Sequence, residues 1–188
     1  MKTHFDIEKL IEIGSITNEL DYERALIADR NLRLLAKDND HLKKLRSKLR
    51  DLIEQYENTE WNNVSQINDE KILESDKVER LAEFERIFIQ NRKNAIRIKL
   101  QELGLNQEHL ATLLGHRSKT HMSELINGIK PFTLKDLIII NRLLKINIEI
   151  LIPPFLSDKD EIKIKEAVTK IDKPELKLAM DDLVIFVP

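Results

Sequence analysis

The side chains best suited to chemistry lie between residues 107 and 130. Ser118, Lys119, Thr120 and His121 follow one another, and Ser123, Glu124 and Asn127 come soon after. On a helix turning about 100° per residue, Thr120, His121, Glu124 and Asn127 share one side, bordered by Lys119 and Ser123. Met122, Leu125 and Ile126 take the other side. The first group consists largely of short side chains that donate and accept hydrogen bonds, unlike the lysine–glutamate mixture of an ordinary solvent face. A slim helix with such tips suits the major groove of DNA, where base edges present donors and acceptors. Arg117, Lys119 and Lys130 stand beside it, and Arg92, Lys93, Arg97 and Lys99 precede it. Residues 90–130 carry 7 Lys and Arg against 3 Asp and Glu, a net of +4 that complements a phosphate backbone. The plain alternative is that these are solvent-facing positions of an interaction domain.

Other chemistries find little support. His116 and His121 fall across a helix start without a third ligand, and no HExxH occurs, so no metal is expected. Asp181 and Asp182 are adjacent and point apart on a helix or strand, and no serine sits in GxSxG. The chain has no cysteine, which removes disulfides, thiol nucleophiles and thiolate metal sites. Gly14, Gly104, Gly115 and Gly128 are too scattered for GxGxxG, and none begins a P-loop. Neither an enzymatic role nor a cofactor is expected. The opening MKTHFDIEKLIEIG has acids among its apolar residues, unlike a secretory signal. The longest apolar region, Leu134 to Ile152, is broken by Lys135, Asp136, Arg142, Lys145 and Glu149, too many charges for a membrane span. A cytoplasmic protein is expected.

The elements that must position these residues are helical. Asn106 caps QEHLATLL, whose Leu110, Ala111 and Leu114 form an apolar face, and Ser118 opens the next helix after Gly115-His116-Arg117. Thr133 caps LKDLIIINRLL, with Asp136 at the third position of a capping box, and Asn147 starts a last short turn before Pro153 and Pro154. From Val78 to Leu151 the pattern reads as five helices. Upstream, residues 6–57 also read as helical. Asn18 caps a helix with Tyr22, Ala25 and Leu26 on one face, and after a polar break at 37–40 an apolar stripe runs through Leu42, Leu45, Leu49, Leu52 and Tyr56. Two heptads favour an antiparallel hairpin over a long coiled coil.

Residues 58–76 are polar and read as a linker or a loosely structured crossing segment. Trp61 is expected to anchor onto the hairpin, with a partner-facing tryptophan as the alternative. Residues 1–89 carry 15 basic against 20 acidic side chains, a net of −5. In the tail, Ser157 and Asp160 suit a cap for a helix with Ile164, Ala167, Val168 and Ile171 on its face. The apolar run Leu183 to Val187 is β-prone. It reads as a cap on its own domain or as a strand added to a twin subunit or partner. The expected organisation is all-α. A helical interaction or dimerisation region spans 1–60, a linker 61–77, a five-helix domain 78–154, and an extension with one possible strand 155–188.

The stretch GLNQEHLATLLGHRSKTHMSELINGIKPFTLKDLIIINRLLKINIEILI resembles the phage-repressor (XRE/Cro) helix-turn-helix and, more narrowly, that of HigA-type antitoxins. The resemblance rests on Gly104-Leu105, Gln107, Leu110-Ala111, Leu114-Gly115, Ser118, Ser123-Glu124-Leu125, Asn127-Gly128 and Lys130-Pro131-Phe132-Thr133-Leu134. Upstream, ITNELDYERAL and LRDLIEQYENTEW are similar to the helical N-terminal region of longer HigA-like antitoxins. The chain departs from the pattern in a longer turn, with His116-Arg117 as the insert, and in the acidic Glu124, which would accept from cytosine N4 or turn away. The resemblance implies that Gln107 and Ser123 hold phosphates with help from Asn127 and Lys130, while Lys119, Thr120 and His121 read base edges. It also implies a homodimer on a palindromic operator of double-stranded DNA and a small basic HigB/RelE-like toxin that cleaves RNA as partner. A stand-alone transcriptional regulator is the alternative, and a helical scaffold that has lost DNA binding is a third.

Overall fold

Polar caps decide where the helices begin. In the computed structural model, which describes residues 5–37, 39–62, 68–154 and 158–173, the described residues are all-helical, with nine helices and no strand. The first three are α1 (Ile7–Ile13), α2 (Glu19–Leu35) and α3 (Asp40–Glu60). A long α4 (Asp69–Glu102) follows, then α5 (Gln107–Leu114), α6 (Lys119–Ile126), α7 (Leu134–Leu144), α8 (Ile148–Leu151) and α9 (Asp158–Ile171). Asn18, Asn106, Ser118, Thr133 and Asn147 all cap the helices expected of them, each accepting from an amide of the first turn. Thr133 and Asp136 complete their reciprocal box, in which Asp136 accepts from the Thr133 amide at 3.0 Å.

The helices α2 and α3 form the expected antiparallel hairpin. The rings of Tyr22 and Tyr56 stack with centroids 4.9 Å apart, joining the start of α2 to the end of α3. Each hydroxyl donates across the pair, Tyr22 to Glu57 at 2.8 Å and Tyr56 to Glu19 at 2.9 Å. Arg46 grips Asp29 in the middle. Ala25, Leu32, Leu45 and Leu49 fill the seam, and α1 closes one end with Ile7 and Leu10.

The linker expected over 61–77 is corrected in part. The helix α4 already begins at Asp69, behind the cap Asn68, whose Oδ1 accepts from the Lys71 amide at 2.8 Å. Its first turns are polar because most of their surface stays in water, and Lys and Glu favour helix without burial. Trp61 meets this helix, with the Lys71 ammonium 4.8 Å from its ring centre. The 34 residues of α4 extend about 50 Å at 1.5 Å per residue and serve both halves of the chain. Its middle meets the hairpin, where Arg24 of α2 holds Glu85 through two hydrogen bonds. Its C-terminal part, through Ile96 and Leu100, enters a second core with Leu110, Met122, Leu125 and Ile140.

The two cores touch. Ile129, just after α6, is buried in the N-terminal core rather than the C-terminal one. Gly128 beside it takes a φ of +71°, and a Cβ there would stand 2.6 Å from Cγ2 of Ile89. On α9, Val168 is buried and Ile164 half-buried, but Ala167 and Ile171 are exposed, so the expected face is only partly used. Ser157 and the apolar run 183–187 lie outside the described residues. No helix among the described residues is long and apolar enough to cross a membrane.

Candidate nucleic-acid interface

The short helices α5 and α6 are set against each other by local chemistry at both ends of their joint. Asn106 Oδ1 accepts from the amides of Glu108 and His109, and His109 Nδ1 accepts in return from the Asn106 amide at 3.2 Å. Gly115 ends α5 in the left-handed region at φ +81°, which lets the His116 amide reach back to the Ala111 carbonyl at 2.8 Å. Two residues later Ser118 Oγ accepts from the His121 amide at 3.1 Å and opens α6. Leu110, Ala111 and Leu114 then pack in one core with Met122, Leu125 and Ile126.

The outer surface of α6 is divided along its length. Its first turn is open: Arg117, Ser118 and Thr120 are exposed, and the Lys119 side chain is 78% exposed. The Lys119 ammonium donates to Glu108 at 2.6 Å, tying the first turns of α6 and α5 together. That bond holds Lys119 above the ordinary lysine pKa and Glu108 below the ordinary carboxyl value. His121 is half-buried, its ring edge-on to His116 with centroids 5.0 Å apart. His116 Nε2 in turn lies 3.2 Å from Asp136 Oδ1, without the alignment of a hydrogen bond.

The second half of that surface is covered. The expectation that Glu124 lies on the outward side is overturned: it is only 4% exposed. Lys130 Nζ sits 3.2 Å from Glu124 Oε2 and equally far from Glu8 Oε1 of α1, while His41 of α3 donates toward Glu8 from 3.2 Å. Burial disfavours the Lys130 charge, but bonds from Glu8 and Glu124 outweigh it and raise its pKa. Asn127 folds back, its Nδ2 donating to the Ser123 carbonyl at 2.8 Å and to Ser123 Oγ at 3.3 Å. The ammonium of Lys130 and the amide of Asn127, expected to help hold phosphates, are thus half-buried and already engaged by partners within the protein. Gln107 is half-buried at the start of α5, and Ser123 is half-buried.

The basic residues before α5 also separate. Arg97 is exposed, and Lys99 is paired with Glu102 at 2.6 Å. Arg92 is 4% exposed, so it cannot reach a phosphate at the surface. Glu8 and His41, which shape the edge of α6, carried no sequence signal, since their roles depend on α1 and α3 arriving there. Among the described residues no cluster of three His, Asp or Glu side chains is placed to hold a metal. Among known proteins, no family model, no curated protein and no solved structure matches the chain.

Proposed function

We propose that the chain is a sequence-specific DNA-binding protein that reads the major groove with the first turn of α6. The observation that carries this reading is the open turn Arg117-Ser118-Lys119-Thr120 at the N-terminal end of a short, firmly packed helix. Groove-reading helices contact base edges with that end, so the covered second half is compatible with docking. In this reading Lys119 and Thr120 face bases, His121 stands at the edge, and Arg117, Gln107 and the α5 cap face the backbone. The long exposed apolar residues Leu134 and Ile138, one turn apart on α7, together with Ile148 and Ile150 of α8, offer a face for a second copy. A dimer would set two α6 helices about 34 Å apart over a palindromic operator.

The narrower reading is a HigA-type antitoxin whose acidic N-terminal region neutralises a small basic RNA-cleaving toxin and whose complex represses its own operon. It rests on the sequence resemblance and on the −5 charge of residues 1–89. The alternative is a regulator without a toxin. A gel shift on the gene's own upstream DNA tests the first reading. Lys119→Ala with Thr120→Ala is expected to weaken specific binding by about 1–3 kcal/mol per lost base contact, while Gln107→Ala weakens binding to all sequences alike. An unchanged shift for the double variant would show that α6 is not the reader. Copurification of a small basic protein, encoded beside the gene, separates antitoxin from stand-alone regulator.

A further inference from the structure

A groove with a cavity of about 210 Å³ lies between α2, the middle of α4 and the Asn127–Ile129 stretch. Large apolar side chains on its walls stay in contact with solvent. Leu34 is 65% exposed, and Ile27, Leu35, Phe88 and Ile89 are only half-buried. Ala28 of α2 and Ala82 of α4, also on the walls, are too small to fill the space. A cavity of about 150 Å³ lined by Leu, Ile and Phe takes up benzene, so this volume suits one aromatic ring with a small neighbour.

The walls carry an excess of positive charge. Arg24, Arg86, Arg92 and Lys93 line the groove, against Glu85 alone among the described residues. Arg24 and Arg86 are engaged, holding Glu85 and Glu83. Arg92 is buried too deeply to touch an occupant, although its charge adds to the local field. Lys93 is half-buried and has no ion pair among the described residues; burial and then the Arg97 charge lower its pKa below the ordinary lysine value. An apolar occupant with negative charge at one end complements such walls.

One segment of the chain has this chemistry. Beyond Lys173 lie residues 174–188, PELKLAMDDLVIFVP, outside the described residues. Asp181 and Asp182 stand directly before Leu183-Val184-Ile185-Phe186-Val187, and Phe186 is the one aromatic residue of the stretch. Its reach is sufficient wherever α9 points. Pro153 is on the groove wall and α9 begins at Asp158, so Ile171 stands within about 38 Å of that wall. Twelve residues separate Ile171 from Leu183, and they span up to about 40 Å. A segment tethered in this way is present at an effective concentration on the order of millimolar, which favours it over a separate molecule.

We propose that residues 183–187 seat in this groove of their own chain, with Phe186 in the cavity and Asp181-Asp182 toward Lys93. The inference does not depend on the DNA-binding reading. Since Ile129 follows α6 and Pro153 follows α8, the seated run would tie the N-terminal helices to both places on the C-terminal side.

The chain has no cysteine, so an introduced pair reports contact without interference. Gln90 is exposed on the α4 wall, and Leu134 is exposed on α7. Val187→Cys with Gln90→Cys is expected to form a disulfide within one chain about tenfold faster or more than Val187→Cys with Leu134→Cys. Non-reducing electrophoresis and mass spectrometry of the oxidised full chain read the result. In thermal unfolding, Phe186→Ala is expected to lower Tm by about 2–4 °C. Leu34→Glu sets a carboxylate on the rim at an exposed position, so it should lower Tm in the full chain and have much less effect once Phe186 is replaced. Equal bridging at Gln90 and Leu134, an unchanged Tm for Phe186→Ala, or additive losses for the two substitutions would each overturn the proposal. Bridges formed only between chains would overturn it too, by placing the run on a second copy.

Discussion

Lys130 Nζ lies 3.2 Å from Oε2 of Glu124, and this pair settles which half of α6 faces solvent. The carboxylate would be outermost on an isolated helix, yet here it sits beneath Lys130, with His121 and His41 at 3.7 and 3.9 Å. Removing the cation should therefore strand a buried carboxylate. Lys130→Met is expected to cost about 1–3 kcal/mol in denaturant unfolding, and adding Glu124→Gln should recover part of the loss. The raised pKa of Lys130 sets the pH window. Its contribution is full below the ordinary lysine value of 10.5 and is lost as pH rises through the higher folded value. A contribution of this pair that stays unchanged as pH rises through the folded value would contradict the assignment.

Tyr22 and Tyr56 are the only tyrosines in the chain, so their ionisation can be followed directly by tyrosinate absorbance. Burial first, then hydrogen bonds to Glu57 and Glu19, push both phenols well above the ordinary value of 10.0. Since the folded pKa is raised, the contribution is full below pH 10 and is lost above it, as the unfolded chain ionises first. Little tyrosinate is expected near pH 10 in the folded protein, with a rise that coincides with loss of helical circular dichroism. A full tyrosinate signal near pH 10 with helicity intact would show that the hairpin leaves these rings free.

The Arg24–Glu85 pair joins α2 to α4, and Glu85 is only 7% exposed. Arg24→Met leaves that carboxylate without its fork and is expected to cost about 3–5 kcal/mol. Arg24→Met with Glu85→Met should be far milder, because no charge is then buried alone. A double-mutant cycle by urea unfolding measures the difference. Additive losses would place the energy in packing instead of the ion pair.

Gly128 combines a left-handed backbone with close contact to Ile89. Gly128→Ala is expected to cost about 2–4 kcal/mol, the sum of the backbone penalty and the overlap. Gly14→Ala, which shares the positive φ at +78° but meets nothing within 4 Å, should cost only about 1–2 kcal/mol. Equal losses for the two variants would mean that α4 moves away from Gly128 without cost.

Helix boundaries were largely legible in the sequence because a cap and its amide lie within three residues of each other. Asn18, Asn106, Ser118 and Thr133 needed no distant neighbour to act, and the hairpin stripe of α3 follows from a period alone. The polar start of α4 was missed because helix without a buried face leaves no periodic signal. The site was legible only in part. Periodicity places Thr120 and Glu124 on nearly the same side of α6, but it is silent on which neighbour arrives there. Glu8 and His41 come from the far end of the chain to cover Glu124, while Thr120 stays open. In the same way, Arg92 counts as one more basic residue in the sequence, and only the packing of two cores around α4 takes its charge out of water. Local hydrogen bonding and apolar period thus determined the helices, whereas long-range packing decided which polar groups remained available to a ligand.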